Sequence, residues 1–139
     1  MSRWHRLYLA FVPWLLSLTA CAHQGELTAA DRIAIRAVIE RQLEAFRAED
    51  AVSAFALASP EIQAKYGSPE IFMIAVKTFY EPVYRPRRIG GYTDLHVIDG
   101  QLTQPVLLVG PDGDFAVALY AMQKQEHGDW KILGCSLIP

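Results

Sequence analysis

The chain has few cysteines and no surplus of positive charge, and both shortages exclude classes of protein. Its 139 residues include two cysteines, 13 lysines and arginines, and 15 aspartates and glutamates, for a net charge of −2. Two cysteines are too few for a disulfide scaffold, and no spacing resembles a structural zinc site. Nucleic-acid-binding proteins normally carry a basic surplus on one face, so we expect no nucleic-acid partner.

Histidines and phosphate-binding motifs are also scarce. Of the four histidines, only His96 falls in a predicted strand, and one histidine without a second ligand at coordination spacing is a poor metal site. Gly90-Gly91 lacks the strand–turn–helix context of a phosphate-binding loop. Cys135 lies between leucines in the last predicted strand, where a cysteine usually acts as a small inert hydrophobe. The sequence therefore predicts no metal and no cofactor, and it offers no catalytic residue.

No hydrophobic run is long enough to cross a bilayer. The run Leu7–Leu18 follows a basic start at Arg3 and Arg6. It is much shorter than the ~20 residues that a membrane-spanning helix needs, but it suits the hydrophobic region of a signal peptide. The run ends in Leu18-Thr19-Ala20-Cys21, which resembles the lipobox of bacterial lipoproteins, whose cysteine is lipidated and becomes the new N-terminus.

These features predict an export signal over residues 1–20, lipidation at Cys21, and a short tether over residues 21–27. The protein is then expected on the periplasmic face of a bacterial membrane, attached through that lipid. Ala20-Cys21-Ala22 also fits ordinary cleavage after Ala22, so a soluble periplasmic or secreted protein is the alternative.

The pattern of apolar and capping residues over residues 28–139 predicts one α+β domain whose helices come first. Thr28 and Asp31 form a capping box at a helix start. One apolar face follows at helical spacing, and it comprises Ile35, Val38, Ile39, Leu43 and Phe46. Gln42 falls on this stripe, where it either points into a pocket or lies at the stripe's edge. Ser59-Pro60-Glu61 and Ser68-Pro69-Glu70 then start two further helices, and the second is expected to bury Phe72, Ala75, Val76 and Phe79.

The second half of the domain alternates with a period of two and predicts a meander of about four antiparallel strands. The predicted strands are Tyr92–Ile98, Leu102–Val109, Phe115–Lys124 and Trp130–Ile138. Asp99-Gly100 is a strong hairpin turn. A curved sheet wrapped over the helices would bury both apolar sets.

Several short motifs together resemble a known family. They are Gln42-x-x-Ala45-Phe46, Tyr80-x-Pro82-Val83-Tyr84-Arg85-Pro86, Gly110-Pro111-Asp112-Gly113, Ala118-x-Tyr120-x-Met122 and Trp130-x-Ile132-x-Gly134-Cys135. The combination resembles the bacterial family called domain of unknown function 4864, within the nuclear transport factor two-like (cystatin-like) superfamily. The resemblance implies a cone, in which a curved sheet encloses a pocket. It implies no activity and assigns no residue a role.

Two sets of side chains are candidates for chemistry. Tyr92, Asp94 and His96 would share one face of a strand, where an acid–base pair and a phenol could serve a pocket enzyme. The alternative is that Leu95 and Val97 face the core and leave that set in solvent.

The second set consists of Tyr80, Tyr84 and Tyr120, which could place hydroxyls around the mouth of a cone and bind a ligand. Tyr120 could instead be core, with its hydroxyl bonded to backbone. Nearby, Arg85, Arg87 and Arg88 either attract an anion or are simply solvated.

The function expected from these observations is the binding of a small apolar ligand or of another envelope protein. The alternatives are a pocket enzyme of the isomerase or dehydratase kind, which transfers protons, and a structural domain that forms a homodimer.

Overall fold

Helices occupy the first part of the chain and strands the second, as the sequence predicts for an α+β protein. The structure, a computed structural model, describes residues 26–138. The helices are α1 (Ala29–Arg47), α2 (Ala51–Ala56), α3 (Pro60–Tyr66), α4 (Pro69–Phe79) and α5 (Glu81–Tyr84). The strands are β1 (Arg88–Tyr92), β2 (His96–Ile98), β3 (Gln101–Val109), β4 (Phe115–Lys124) and β5 (Trp130–Ile138).

The long helix α1 begins at the predicted capping box. Thr28 accepts from the backbone of Asp31, and Asp31 accepts from the backbone of Thr28, each at 3.0 Å. All five residues of the predicted apolar stripe are buried, and so is Gln42. Because burying the stripe removes apolar area from water, it supplies the main force that holds α1 against the sheet.

The two Ser-Pro-Glu motifs start helices as expected. The Ser59 side chain accepts from the backbone of Ile62, and the Ser68 side chain accepts from the backbone of Ile71. The predicted inner face of α4 needs one correction, because Phe79 is 73% exposed. Phe79 is the last residue of α4, and the chain turns into α5 before any element covers this ring.

The sheet has five antiparallel strands, in which β3 and β4 are central. Its order is β1-β3-β4-β5, and β2 also pairs with β3. The last three predicted strands are confirmed, and the β2–β3 hairpin turns at Asp99-Gly100. Both turn residues have positive φ values, 50° and 77°, which favour this hairpin geometry.

The strand predicted over Tyr92–Ile98 is instead divided between β1 and β2. Tyr92 pairs with Val106, whereas His96 pairs with Thr103. The segment between them therefore has one residue more than the facing part of β3, and such a bulge reverses the alternation of side chains.

One face of the sheet packs on the helices and forms the core. Its buried side chains on β4 are Ala116, Ala118, Tyr120 and Met122. Trp130 and Ile132 of β5 are buried with them, in one cluster that includes Phe46 and Phe72. None of the helices within residues 26–138 has the length and apolar character needed to span a membrane.

Asp31 also connects the start of α1 to the last hairpin. Its carboxylate accepts from Trp130 Nε1 at 3.3 Å and pairs with Lys124 Nζ at 3.2 Å. The Thr28 backbone bond, followed by the Lys124 bond, lowers the pKa of Asp31 to about 2. The carboxylate therefore stays ionised in this contact down to low pH.

Candidate functional site

A pocket of about 420 Å³ lies between the helices and strand β5. Its helical wall is apolar and aromatic, and includes Phe46, Ile62, Tyr66, Phe72, Val76 and Tyr80. Phe72 is the centre of this wall, since its ring centroid lies 5.9 Å from that of Phe46 and 5.5 Å from that of Tyr66. The volume lies in the range of pockets that hold small molecules.

Polar side chains also line this pocket, and Gln42 is the most buried of them at 3% exposure. Others on the strand side are Asp99, Gln101, Thr103 and Ser136. Its Nε2 donates to the Ala54 carbonyl at 3.1 Å, which fixes the amide and leaves Oε1 as an acceptor. The sequence left open whether Gln42 points into a pocket or lies at the edge of the apolar stripe, and the structure supports the pocket. Lys65, at the rim, is the only cationic side chain among the described lining residues.

Tyr80 and Cys135 are two further protonable groups that line the pocket. Burial raises the pKa of the Cys135 thiol to about 12, so the reactive thiolate is disfavoured near neutral pH. Burial, followed by proximity to Cys135 and Tyr66, also raises the pKa of Tyr80. Both groups therefore remain protonated and can donate hydrogen bonds, and neither is prepared for nucleophilic attack.

Tyr120 is fully buried in the core and is not among the residues that line the pocket. It lies on β4, where its cross-strand neighbours are Gln104 of β3 on one side and Cys135 of β5 on the other. Among the described residues its hydroxyl has no hydrogen-bond partner, so the backbone bond considered from the sequence is absent there. Burial raises the pKa of Tyr120 well above its ordinary value, and this group stays neutral.

Tyr84 belongs to a separate contact around Glu49. The Tyr84 hydroxyl donates to the Glu49 carboxylate, which also pairs with Lys77 at 2.8 Å and Arg85 at 2.9 Å. Hydrogen bonds from Lys77 and Arg85 lower the pKa of Glu49. Because the group links the end of α1 to α4 and α5, its evident role is to hold these helix ends together.

The structure thus brings one of the three candidate tyrosines, Tyr80, to the pocket. Tyr84 and Tyr120 lie elsewhere, so the three hydroxyls do not surround one opening. Of the neighbouring arginines, Arg85 pairs with Glu49 and Arg87 donates to the Pro111 carbonyl at 3.2 Å.

The Tyr92, Asp94 and His96 set is not assembled on one strand face. The bulge between β1 and β2 puts Tyr92 on the helix side, where its hydroxyl donates to Glu40 at 3.1 Å. Asp94 and His96 are exposed, and His96 pairs with Thr103 on the opposite face. The alternative, that Leu95 and Val97 face the core, holds for Leu95, which is partly buried against the core cluster. It is wrong for Val97, which is 72% exposed.

Sequence reasoning missed the contribution of α3 to the pocket. Ile62 and Tyr66 stand four residues apart, a spacing that places two side chains on one helix face. That spacing was the available signal, but a helix of two turns gives too short a pattern to assign a buried face. Within residues 26–138, no group of three or more His, Cys, Asp or Glu side chains is placed to hold a metal ion.

The folded domain matches a known protein family. The family described as "Domain of unknown function (DUF4864)" matches residues 28–139. The chain belongs to this family. The DUF4864 match covers every helix and strand described above. No curated protein and no solved structure matched the chain.

Proposed function

We propose that this DUF4864 protein is an exported envelope protein, anchored through lipid on Cys21, whose domain binds a small apolar ligand. The pocket beside β5 is the observation that carries the binding proposal. Cys21 and the rest of the predicted signal and tether up to residue 25 lie outside the described residues, so the anchor rests on the sequence. The cone shape and the wider superfamily likewise remain expectations from the resemblance.

The chemistry of the pocket favours a ligand that is mainly apolar and carries few polar atoms. Phe46, Phe72 and Val76 present rings and methyl groups, and contact with them removes apolar ligand area from water. Gln42 offers an acceptor, while the neutral Tyr80 hydroxyl can donate a hydrogen bond. A few such groups orient a ligand, while the apolar wall supplies most of the affinity.

A second function, proton-transfer catalysis, has less support. The acid–base set predicted on one strand is divided between two faces of the sheet, as described above. The one carboxylate among the described lining residues, Asp99, is exposed in the hairpin turn. Of the more buried protonable groups, Tyr80 and Cys135 both have raised pKa values. A general base near neutral pH needs a pKa close to the working pH, which neither group has.

Pocket filling provides the test of ligand binding. Titration with the neutral fluorescent dye N-phenyl-1-naphthylamine should show saturable binding to the wild-type protein. Ile62→Trp should abolish that binding, because the indole would fill the pocket beside Tyr66. Ile74→Trp is the matched control, since Ile74 is 60% exposed on the outer side of α4 and should leave dye binding unchanged.

Thermal melting of both variants would show that each remains folded. Equal dye binding by Ile62→Trp and wild type, or no saturable binding by wild type, would contradict the pocket as the ligand site. If the dye binds as expected, native mass spectrometry of protein purified from its own envelope would identify a retained ligand.

The anchor has a separate test. Detergent phase partitioning of the full chain should place the wild type in the detergent phase and Cys21→Ser in the aqueous phase. The several acyl chains of a mature lipoprotein are needed for stable attachment. A mature N-terminus at His23, without lipid mass, would contradict lipidation.

A further inference from the structure

The outer edge of β5 is open along most of its length. This strand is the last in the sheet order, and only Ile132 makes backbone bonds beyond β4 among the described residues. Its amide donates to the Leu57 carbonyl at 3.0 Å, and its carbonyl accepts from Ser59 at 2.8 Å. From residue 133 to 138, the N–H and C=O groups that point away from β4 have no such partner in the described chain.

The two edges of the sheet are protected to different degrees. The opposite edge is interrupted by the bulge between Tyr92 and His96, and it begins at the charged Arg88. Natural proteins use such bulges and charges to prevent an edge from pairing with another chain. The segment Gly134–Ile138 contains neither a charge nor a proline, and its bulge lies at its start, next to Gly134.

The pocket extends to both faces of the sheet at this open edge. On the helix side it is lined by Val76 and Tyr80. On the other side it is lined by Leu119 and Ala121, which occupy alternate positions to the buried Tyr120 on β4. A strand added beside β5 would direct successive side chains to these two sides in turn.

We propose that β5 accepts an extended peptide segment of a partner protein as an additional strand. Main-chain hydrogen bonds to the open edge would supply affinity, and the two walls of the pocket would select alternating apolar side chains. The inference rests on the pocket of the proposed function and adds a class of partner to it.

Charge and space define the partner further. Lys65 and Asp99 both line the pocket, and neither makes an ion pair among the described residues. An acidic residue at the end of the peptide that lies beside Lys65, away from Asp99, would therefore complement the site. Side chains of α3 and α4 line the space beside the helix face of the edge. A single strand fits there, whereas a second copy would bring its own helices into that space.

Backbone methylation provides the sharpest test. The probes are acetylated peptides of alternating leucine and threonine with a glutamate at either end, titrated into the folded protein by calorimetry. Methylating one alternate set of backbone amides removes the donors that face β5, while methylating the other set does not. We expect one methylated peptide to bind at least about tenfold more weakly than the other, as the loss of two hydrogen bonds predicts.

A protein variant tests the same edge from the other side. Ser136→Lys introduces a charge at an exposed position of β5 and should abolish peptide binding with unchanged melting. Val97→Lys, at the opposite edge of the sheet, is the control and should bind like the wild type.

The remaining outcomes separate the inference from the proposed function. Equal binding by both methylated peptides, or no peptide binding while the dye still saturates, would overturn the strand proposal and leave the pocket function standing. If neither probe binds, both proposals fail. A protein that is dimeric alone, binds no peptide and becomes monomeric on Ser136→Lys would overturn the proposal in favour of a second copy.

Discussion

Removing the hydroxyl of Tyr120 should make the protein more stable. Most deletions of a buried group destabilise a protein, but this oxygen is fully buried and has no hydrogen-bond partner among the described residues. Tyr120→Phe keeps the ring in the core and removes only the group that lost its water on folding. In the wild type, the unfolded chain exposes this hydroxyl to water, so folding removes the water and provides no hydrogen bond in its place.

The magnitude follows from two opposing effects. A buried hydroxyl without a partner costs ~1–3 kcal/mol. Deleting it also forfeits the few dispersion contacts of one oxygen, each worth ~0.1–0.2 kcal/mol. We therefore expect the free energy of unfolding to rise by about 1 kcal/mol, which corresponds to an increase in Tm of roughly 4 °C for a domain of this size.

Urea denaturation at neutral pH, followed by Trp130 fluorescence, would measure the change. Tyr80→Phe is the matched control, because Tyr80 is only partly buried and lines the pocket. Its removal should leave the unfolding free energy nearly unchanged but weaken ligands that accept a hydrogen bond. A loss of more than about 1 kcal/mol in Tyr120→Phe, the net value of a typical satisfied bond, would show that the hydroxyl is satisfied and refute the reasoning.

Three further changes test the fold. Trp130→Ala should destabilise the protein by ~3–5 kcal/mol, because a large buried side chain leaves a cavity; a loss below about 1 kcal/mol in urea denaturation would contradict its burial. Val97→Ala should change the unfolding free energy by less than about 0.5 kcal/mol, since most of its surface is exposed, and a larger loss would place Val97 in the core. Stability should also fall as the pH drops from about 4 towards 2, because the bonds from Thr28 and Lys124 lower the folded pKa of Asp31 to about 2. The ordinary pKa of an aspartate is ~3.9, so the unfolded state binds the proton first. Asp31→Asn should flatten this part of an acid denaturation series, and an unchanged slope would argue against the contact with Lys124.

The helices and most strands could be predicted because their signals are local. A capping box, two Ser-Pro-Glu starts and the Asp99-Gly100 turn each act within a few residues, so the sequence alone contains them. The bulge before His96 could not be predicted, since it depends on which residue of β3 faces Tyr92. That single extra residue is what divided the predicted acid–base set.

The candidate site was harder to predict than the fold. Tyr80 could be selected as a phenol at a helix end, but no local pattern indicates how far it lies from Tyr84 or Tyr120. The open edge of β5 has no signal of its own, because strand order is a property of the whole sheet. Only the absence of charge from Gly134 to Ile138 pointed towards it.

The contact between Asp31 and Trp130 has a consequence for the order of folding. These residues are 99 positions apart in the chain, and β5, which carries Trp130, is the last of the described strands in chain order. Until β4 and β5 are made, the apolar stripe of α1 has no sheet to cover it. Contacts so distant in sequence form late because the intervening chain must first close into a loop. The first helix would therefore emerge with its apolar face exposed, and the domain would reach its native state only after β5 has been synthesised.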